Sequence, residues 1–191
     1  MLRDLVLKNR SYRRFYQQES ISLETLSGLI DLARLTGSGA NRQPLKYFLV
    51  NSPGKNALVF ETLSWAGYLK DWPGPDEGER PSAYIVILGD KEISSSFDWD
   101  RGIAAQTILL GAVEQGLGGC MIVTIDRVKL AGILDIPSRY EILMVLALGK
   151  PKEKVVLETL QPGGDIKYWR DSQGVHHVPK RPLDEIIVGK I

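Results

Sequence analysis

Residues from about Phe97 to Gln115 read as one helix that is small or apolar on almost every side. Such a helix has no face to offer water, so it belongs in the centre of a structure or in a subunit interface. The runs beside it point the same way. Ser82-Ala83-Tyr84-Ile85-Val86-Ile87-Leu88-Gly89 and Ile142-Leu143-Met144-Val145-Leu146-Ala147-Leu148-Gly149 are wholly apolar stretches that end on glycine. They read as buried strands, and Gly119 to Val123 as another. Gly116 is placed to cap the helix before a tight turn. A central helix layered on buried strands is the frame the rest of the chain must fit.

The flanking elements follow from local signals. Leu2 to Lys8 mixes apolar and charged residues as a short amphipathic helix does. Ser22 is a good N-cap, with Ile21 and Leu26 spaced for a hydrophobic staple. Leu26, Leu29, Ile30 and Ala33 then share one helix face, ended by Gly37 and Gly39. Tyr47 to Val50 is a short strand. Ser52-Pro53 starts a second helix, which we expect to run to about Lys70. Asp71 to Pro81 is rich in proline and glycine and reads as a loop. Asp126 caps a short helix that ends before Pro137. From Lys150 to Ile191 there is little periodicity until Leu183–Ile187, and too few apolar residues for a separate core. We therefore expect one domain over 1–191, with 150–191 as an extension that wraps a partner subunit.

Composition excludes several classes. The formal net charge is +1, so no strong field points to nucleic acid. Cys120 is the only cysteine, which leaves no intramolecular disulfide and no multi-cysteine metal site. Its apolar neighbours predict a buried, inert thiol. His176 and His177 are adjacent rather than spaced for a zinc pair, and read as surface residues. No metal site is expected. The N-terminus is too short and too charged for a signal peptide. No apolar run approaches the ~20 residues that span a bilayer. A soluble, cytoplasmic protein with no membrane partner is the expectation.

Several blocks carry chemistry. Asn9-Arg10-Ser11-Tyr12-Arg13-Arg14-Phe15 offers arginine forks and a hydroxyl suited to phosphate oxygens, or else a solvated basic face. Ser38-Gly39-Ala40-Asn41-Arg42-Gln43-Pro44 is a polar loop. Its Pro44 favours an extended Gln43 with its amide aimed outward, and plain turn chemistry accounts for it as well. Gly116-x-Gly118-Gly119 follows a helix and precedes a strand, the reverse of a dinucleotide-binding turn. Pro179-Lys180-Arg181-Pro182 holds a basic pair. Trp65, Tyr68 and Trp72 form an aromatic group that covers a substrate or packs into the structure.

The order and spacing of these blocks resemble the nitroreductase family of FMN-dependent oxidoreductases, over nearly the whole chain. The resemblance implies an α+β fold, a central, mainly antiparallel sheet flanked by helices, in an interlocked homodimer with FMN at the interface. It implies cofactor contacts from Arg10, Ser11 and Arg13, and from Lys180 and Arg181 returning to the phosphate. Ser38, Gly39, Ala40, Asn41 and Gln43 would reach a flavin held mainly by the other subunit. The backbone of Ile122, Val123 and Thr124 would lie near the central ring, and Trp65, Tyr68 and Trp72 near substrate. Two positions depart from the family pattern: Asn9 stands in place of its first arginine, and Leu45 where many members have tryptophan.

The implied activity is ping-pong hydride transfer, with NAD(P)H as co-substrate and nitroaromatics, quinones or similar small acceptors as oxidants. The flavin carries the chemistry, so no catalytic side chain is expected. Relatives of the same fold imply two alternatives, a flavin-dependent dehalogenase or a flavin-fragmenting enzyme. A non-catalytic FMN-binding or sensing protein is a third.

Overall fold

The computed structural model describes all 191 residues. Its elements are α1 (Leu2–Lys8), α2 (Leu23–Arg34), β1 (Leu45–Val50), α3 (Pro53–Phe60), β2 (Ala83–Asp90), α4 (Asp98–Glu114), β3 (Gly118–Ile122), α5 (Arg127–Leu134), β4 (Tyr140–Gly149), β5 (Val155–Thr159), β6 (Trp169–Arg170), β7 (His176–Lys180) and α6 (Leu183–Ile186). The central sheet has the order β1-β2-β4-β3, and every pairing in it is antiparallel. The α+β expectation holds.

The period-2 alternation of the inner strands divides two cores. Ala83, Ile85 and Ile87 of β2 face Leu26 and Leu29 of α2 and Ala105 and Ile108 of α4. Tyr84, Val86 and Leu88 face the other way, towards Val59 of α3 and Leu130 of α5. Because both faces are covered, β2 is buried along its whole length. The near-continuous apolar runs in the sequence record that burial.

Caps form where local chemistry places them. Ser22 Oγ accepts from the Thr25 amide, and Asp126 from Lys129. At the end of α4, Leu117 N–H donates to the Ala112 carbonyl and Gly116 N–H to Val113, with Gly116 at φ +73°. That pattern is a Schellman cap.

One expectation needs correction. The helix from Pro53 stops at Phe60 rather than near Lys70. Thr62 turns its hydroxyl back onto the Val59 carbonyl, Leu63 bridges Ile125, and Ser64 N–H donates to Thr124. Pairing with the chain after β3 outcompetes helix continuation. The region after Lys150, of low periodicity in the sequence, carries short strands. β5 and β7 pair in parallel, and β6 joins β7 antiparallel. This small sheet docks on its own chain: Leu160, Glu153 and His176 are all buried. Only the end projects, with Val188 and Ile191 fully exposed.

Candidate functional site

The segment carrying the first arginine block runs beside β3. Ser11 bridges Gly119, and Tyr12 N–H donates to the Gly119 carbonyl at 3.1 Å. Two aromatic rings anchor it. A Cβ on Gly118 would lie 2.5 Å from the Tyr12 ring, and one on Gly149 would lie 2.8 Å from the Phe15 ring. Both glycines therefore clear room for a side chain that pins the arginines between them.

Beneath this segment lies a cleft of about 380 Å³ lined by Asn9, Arg10, Ser11, Arg13, Gln106, Leu109, Met121, Tyr168, Val178 and Lys180. Arg10, Ser11, Arg13 and Lys180 come from opposite ends of the chain and converge here. Arg10 is half-buried, its Nε without a partner in the chain, and burial lowers its pKa. Three cations and a hydroxyl suit a phosphate monoester. The apolar Leu109 and Met121 offer a surface for a planar ring. The cleft therefore fits FMN in charge and in polarity.

The shell behind it was not legible in the sequence. Arg13 N–H donates to Glu153, a buried carboxylate that also accepts from Arg170 at 3.1 Å. The Arg13 guanidinium lies 4.8 Å from the Tyr168 ring centroid, and its Nη1 is 3.3 Å from His176 Nε2. An arginine can only donate, so Nε2 accepts and the His176 proton sits on Nδ1. Burial, with Arg13 and Arg170 nearby, lowers the His176 pKa to about 4. Calling both histidines surface residues is thus wrong for His176, which is almost fully buried. His177 is half-buried, stacked on Trp169 and bonded to Glu158 at 2.8 Å and Asp171 at 3.3 Å. Those carboxylates raise its pKa. The available signal was the alternation of β7, which a tail of low periodicity concealed.

Other predicted residues sit elsewhere. Arg181 is exposed, outside the cleft, and paired with Glu185. Ser38 and Gln43 line a separate hollow with Tyr47 and Asp100, near the start of α4. There Asp100 accepts the Gly39 amide at 2.8 Å. Gln43 is not extended: its φ is +52°, and Ala40 and Asn41 are also left-handed at +50° and +53°. The Gln43 amide folds back to Asn41 Oδ1 at 3.2 Å, and the Ser38 hydroxyl accepts the Gln43 N–H at 2.9 Å. These local bonds outweigh the preference set by Pro44.

Ile122 is buried on the α5 side of the sheet, whereas Val123 and Thr124 are exposed. Met121, one position earlier, is the β3 side chain that lines the cleft. Trp65 is only 8% exposed and packs 5.7 Å from Phe60, as a core residue. Tyr68 is exposed and meets Tyr168 at a tilted 4.9 Å ring contact, on the side away from the cleft, where both line a separate hollow. Trp72 lies under the Arg170 guanidinium at 4.5 Å. Cys120 is buried and its thiol pKa raised by burial, which keeps it unreactive.

A model of the nitroreductase family matches residues 6–150. The chain belongs to the nitroreductase family. It is similar to the 5,6-dimethylbenzimidazole synthase of Rhodospirillum rubrum, at 21% identity over 93% of each chain. It also resembles the iodotyrosine deiodinase of Thermotoga neapolitana, at 25% identity over 80% of this chain and 90% of the relative. Its fold matches an FMN-dependent nitroreductase of Clostridium difficile with a TM-score of 0.63, at 24% identity over 78% of this chain and 87% of the other. As a nitroreductase-family chain it is an oxidoreductase, and the arginine-lined cleft lies largely within the matched region. No helix is long and apolar enough to cross a membrane.

Proposed function

We propose that this protein binds FMN in the Arg10–Arg13–Lys180 cleft and uses NAD(P)H to reduce small electron-poor acceptors such as nitroaromatics and quinones. The observation that carries the reading is the convergence of Arg10, Ser11, Arg13 and Lys180 over an apolar floor. Bound there, the flavin supplies two-electron hydride chemistry. Arg10, Arg13 and Lys180 would hold the phosphate and offset negative charge on the reduced cofactor. Ser11 would add a hydroxyl. Tyr168, fixed by Arg13 and Tyr68, shields one wall from water. Glu153 and His176 hold Arg13 in place and leave its charge for the ligand.

A homodimer belongs to the same reading. The Ser38–Gln43 loop meets α4 at Asp100, whereas the cleft meets it at Gln106 and Leu109. At 1.5 Å per residue the two stations are about 9–14 Å apart along the helix. That spacing supports a loop serving the cofactor of a second subunit. Trp99 and Ile103 of α4 are exposed, as are Leu2 and Val6 of α1, which lies against it. The projecting residues after Lys180 are the part of the tail free to wrap a partner. A cytoplasmic location suits the one free thiol.

A second reading, a flavin-dependent dehalogenase, is favoured by the likeness to the iodotyrosine deiodinase. The deciding test is an absorbance spectrum of the purified protein, then anaerobic addition of NADH or NADPH. A flavin spectrum that bleaches, and recovers with a quinone, supports the reductase. Recovery with iodotyrosine and release of iodide, but not with quinones, supports the second reading. A flavin spectrum that never bleaches points to binding without turnover. Protein that takes up no FMN overturns the site.

A further inference from the structure

Strand β7 is the middle strand of the C-terminal sheet, between β5 and β6, and its two faces do different things. His176, Val178 and Lys180 alternate towards the cleft: His176 backs Arg13, and the other two line it. His177 and Pro179 take the opposite face, where Pro179 lines a separate hollow with Glu158 and Trp169.

His177 meets a carboxylate at each ring nitrogen. Nδ1 lies 2.8 Å from Glu158 Oε1, and Nε2 lies 3.3 Å from Asp171 Oδ2. A neutral imidazole has one N–H, so its other nitrogen would aim a lone pair at a carboxylate oxygen. Only the imidazolium donates to both. Trp169, the cross-strand neighbour on β6, lies parallel to the ring at 4.9 Å. The titratable groups beside His177 are Glu158 from β5, Asp171 from the turn after β6, and His176 on its own strand; β6 contributes the uncharged Trp169. The two carboxylates raise the His177 pKa above the ordinary imidazole value. The tie is therefore whole below about pH 6.5 and is lost as pH climbs through the folded value.

This contact gathers the parts that serve the cleft. β6 is two residues long and pairs only with His176 and His177. Its Arg170 reaches Glu153, which holds the Arg13 amide. Asp171 also shapes the turn into β7, accepting from Gln173 and Val175 at 2.9 and 2.8 Å. With a proton on both nitrogens, His177 joins β5, this turn and β7 at one point, on the strand that carries Lys180. Without it, one nitrogen repels its carboxylate and that tie is gone. On the reading that FMN fills the Arg10–Arg13–Lys180 cleft, we propose that His177 is a positioning residue for it, worked by a proton. The imidazolium clamps β7 between Glu158 and Asp171, and its deprotonation loosens FMN.

FMN affinity of the full-length protein, measured by fluorescence titration from pH 6.5 to 9, tests this. Wild-type affinity should fall by about fivefold or more across the range. His177→Gln should bind more weakly than wild type at pH 6.5 and change little with pH. Glu158→Gln, which keeps the histidine but removes one carboxylate, should move the midpoint to lower pH. NMR of the His177 ring gives a second readout, without FMN. Both nitrogens should be protonated at pH 6.5, and added FMN should raise the titration midpoint, since the coupling is reciprocal. If His177→Gln does not fold, the partly exposed Glu158→Gln decides. FMN that binds with equal affinity across the range, a His177→Gln protein with the wild-type pH profile, or a neutral His177 at pH 6.5 would overturn the clamp and leave the site standing. Protein that takes up no FMN at any pH would overturn the site and the clamp together.

Discussion

Arginine 13 shows how one residue joins packing to binding. Its backbone amide is held by Glu153, its guanidinium meets Tyr168 and His176, and its side chain lines the cleft. Arg13→Ala should weaken FMN by about 1–3 kcal/mol, roughly 5- to 150-fold, in a fluorescence titration of the folded variant. Lys180 and Arg181 are neighbours with different surroundings. Lys180→Ala should cost about 0.5–1.5 kcal/mol of FMN affinity, whereas Arg181→Ala should change it little, because that side chain is turned to Glu185. Equal losses would place both at the phosphate.

His176 and His177 titrate in opposite senses. The His176 pKa is depressed to about 4, below the ordinary imidazole range, by burial and the nearby Arg13 and Arg170. Its unfolded form therefore takes up protons first, and stability falls as pH drops from about 6.5 towards 4. The raised pKa of His177 contributes stability below about 6.5 that is lost as pH climbs through its folded value. Denaturant midpoints measured from pH 7 to pH 4.5 should fall in the wild type. They should fall less in His176→Gln, which cannot take up the proton.

Among the elements, β4 shows how a strand end positions a remote segment. Gly149 closes β4 against the Phe15 ring, and a methyl group there would meet that ring at 2.8–2.9 Å. Gly149→Ala should destabilise the fold by about 1–3 kcal/mol, since neither strand nor buried ring can move freely. It should also loosen FMN, because Phe15 anchors the arginine block. A variant with wild-type melting temperature and affinity would remove Phe15 from that role. The loop after α3 makes a different point. Trp65 has the look of a substrate-facing aromatic in the sequence, but pairing of Leu63 and Ser64 with the 124–125 segment turns it inward.

For the whole molecule, the region after β4 is part of the site. Glu153, Tyr168, His176 and Lys180 all lie beyond residue 150 and surround Arg13 or the cleft. A chain ending at residue 150 should therefore form no stable flavoprotein, judged by retained flavin absorbance after gel filtration. A yellow, folded monomer from that truncation would show the C-terminal sheet to be dispensable.

The sequence by itself determined the layered α+β frame, the helix caps and most of the cation set. Those features rest on period, composition and short spacing. The apolar runs of β2 and β4 could not be exposed, Gly116 could end α4 without strain, and the arginine block stands in one continuous stretch. The tertiary structure alone decided which basic residue of the Lys180–Arg181 pair faces the cleft, and that His176 backs Arg13. It also decided that His177 stands between Glu158 and Asp171. Each of these depends on strand register and on contacts between residues far apart in the chain. A one-residue change in strand phase reverses which side chain points inward, and the weak periodicity of the tail left that phase unmarked.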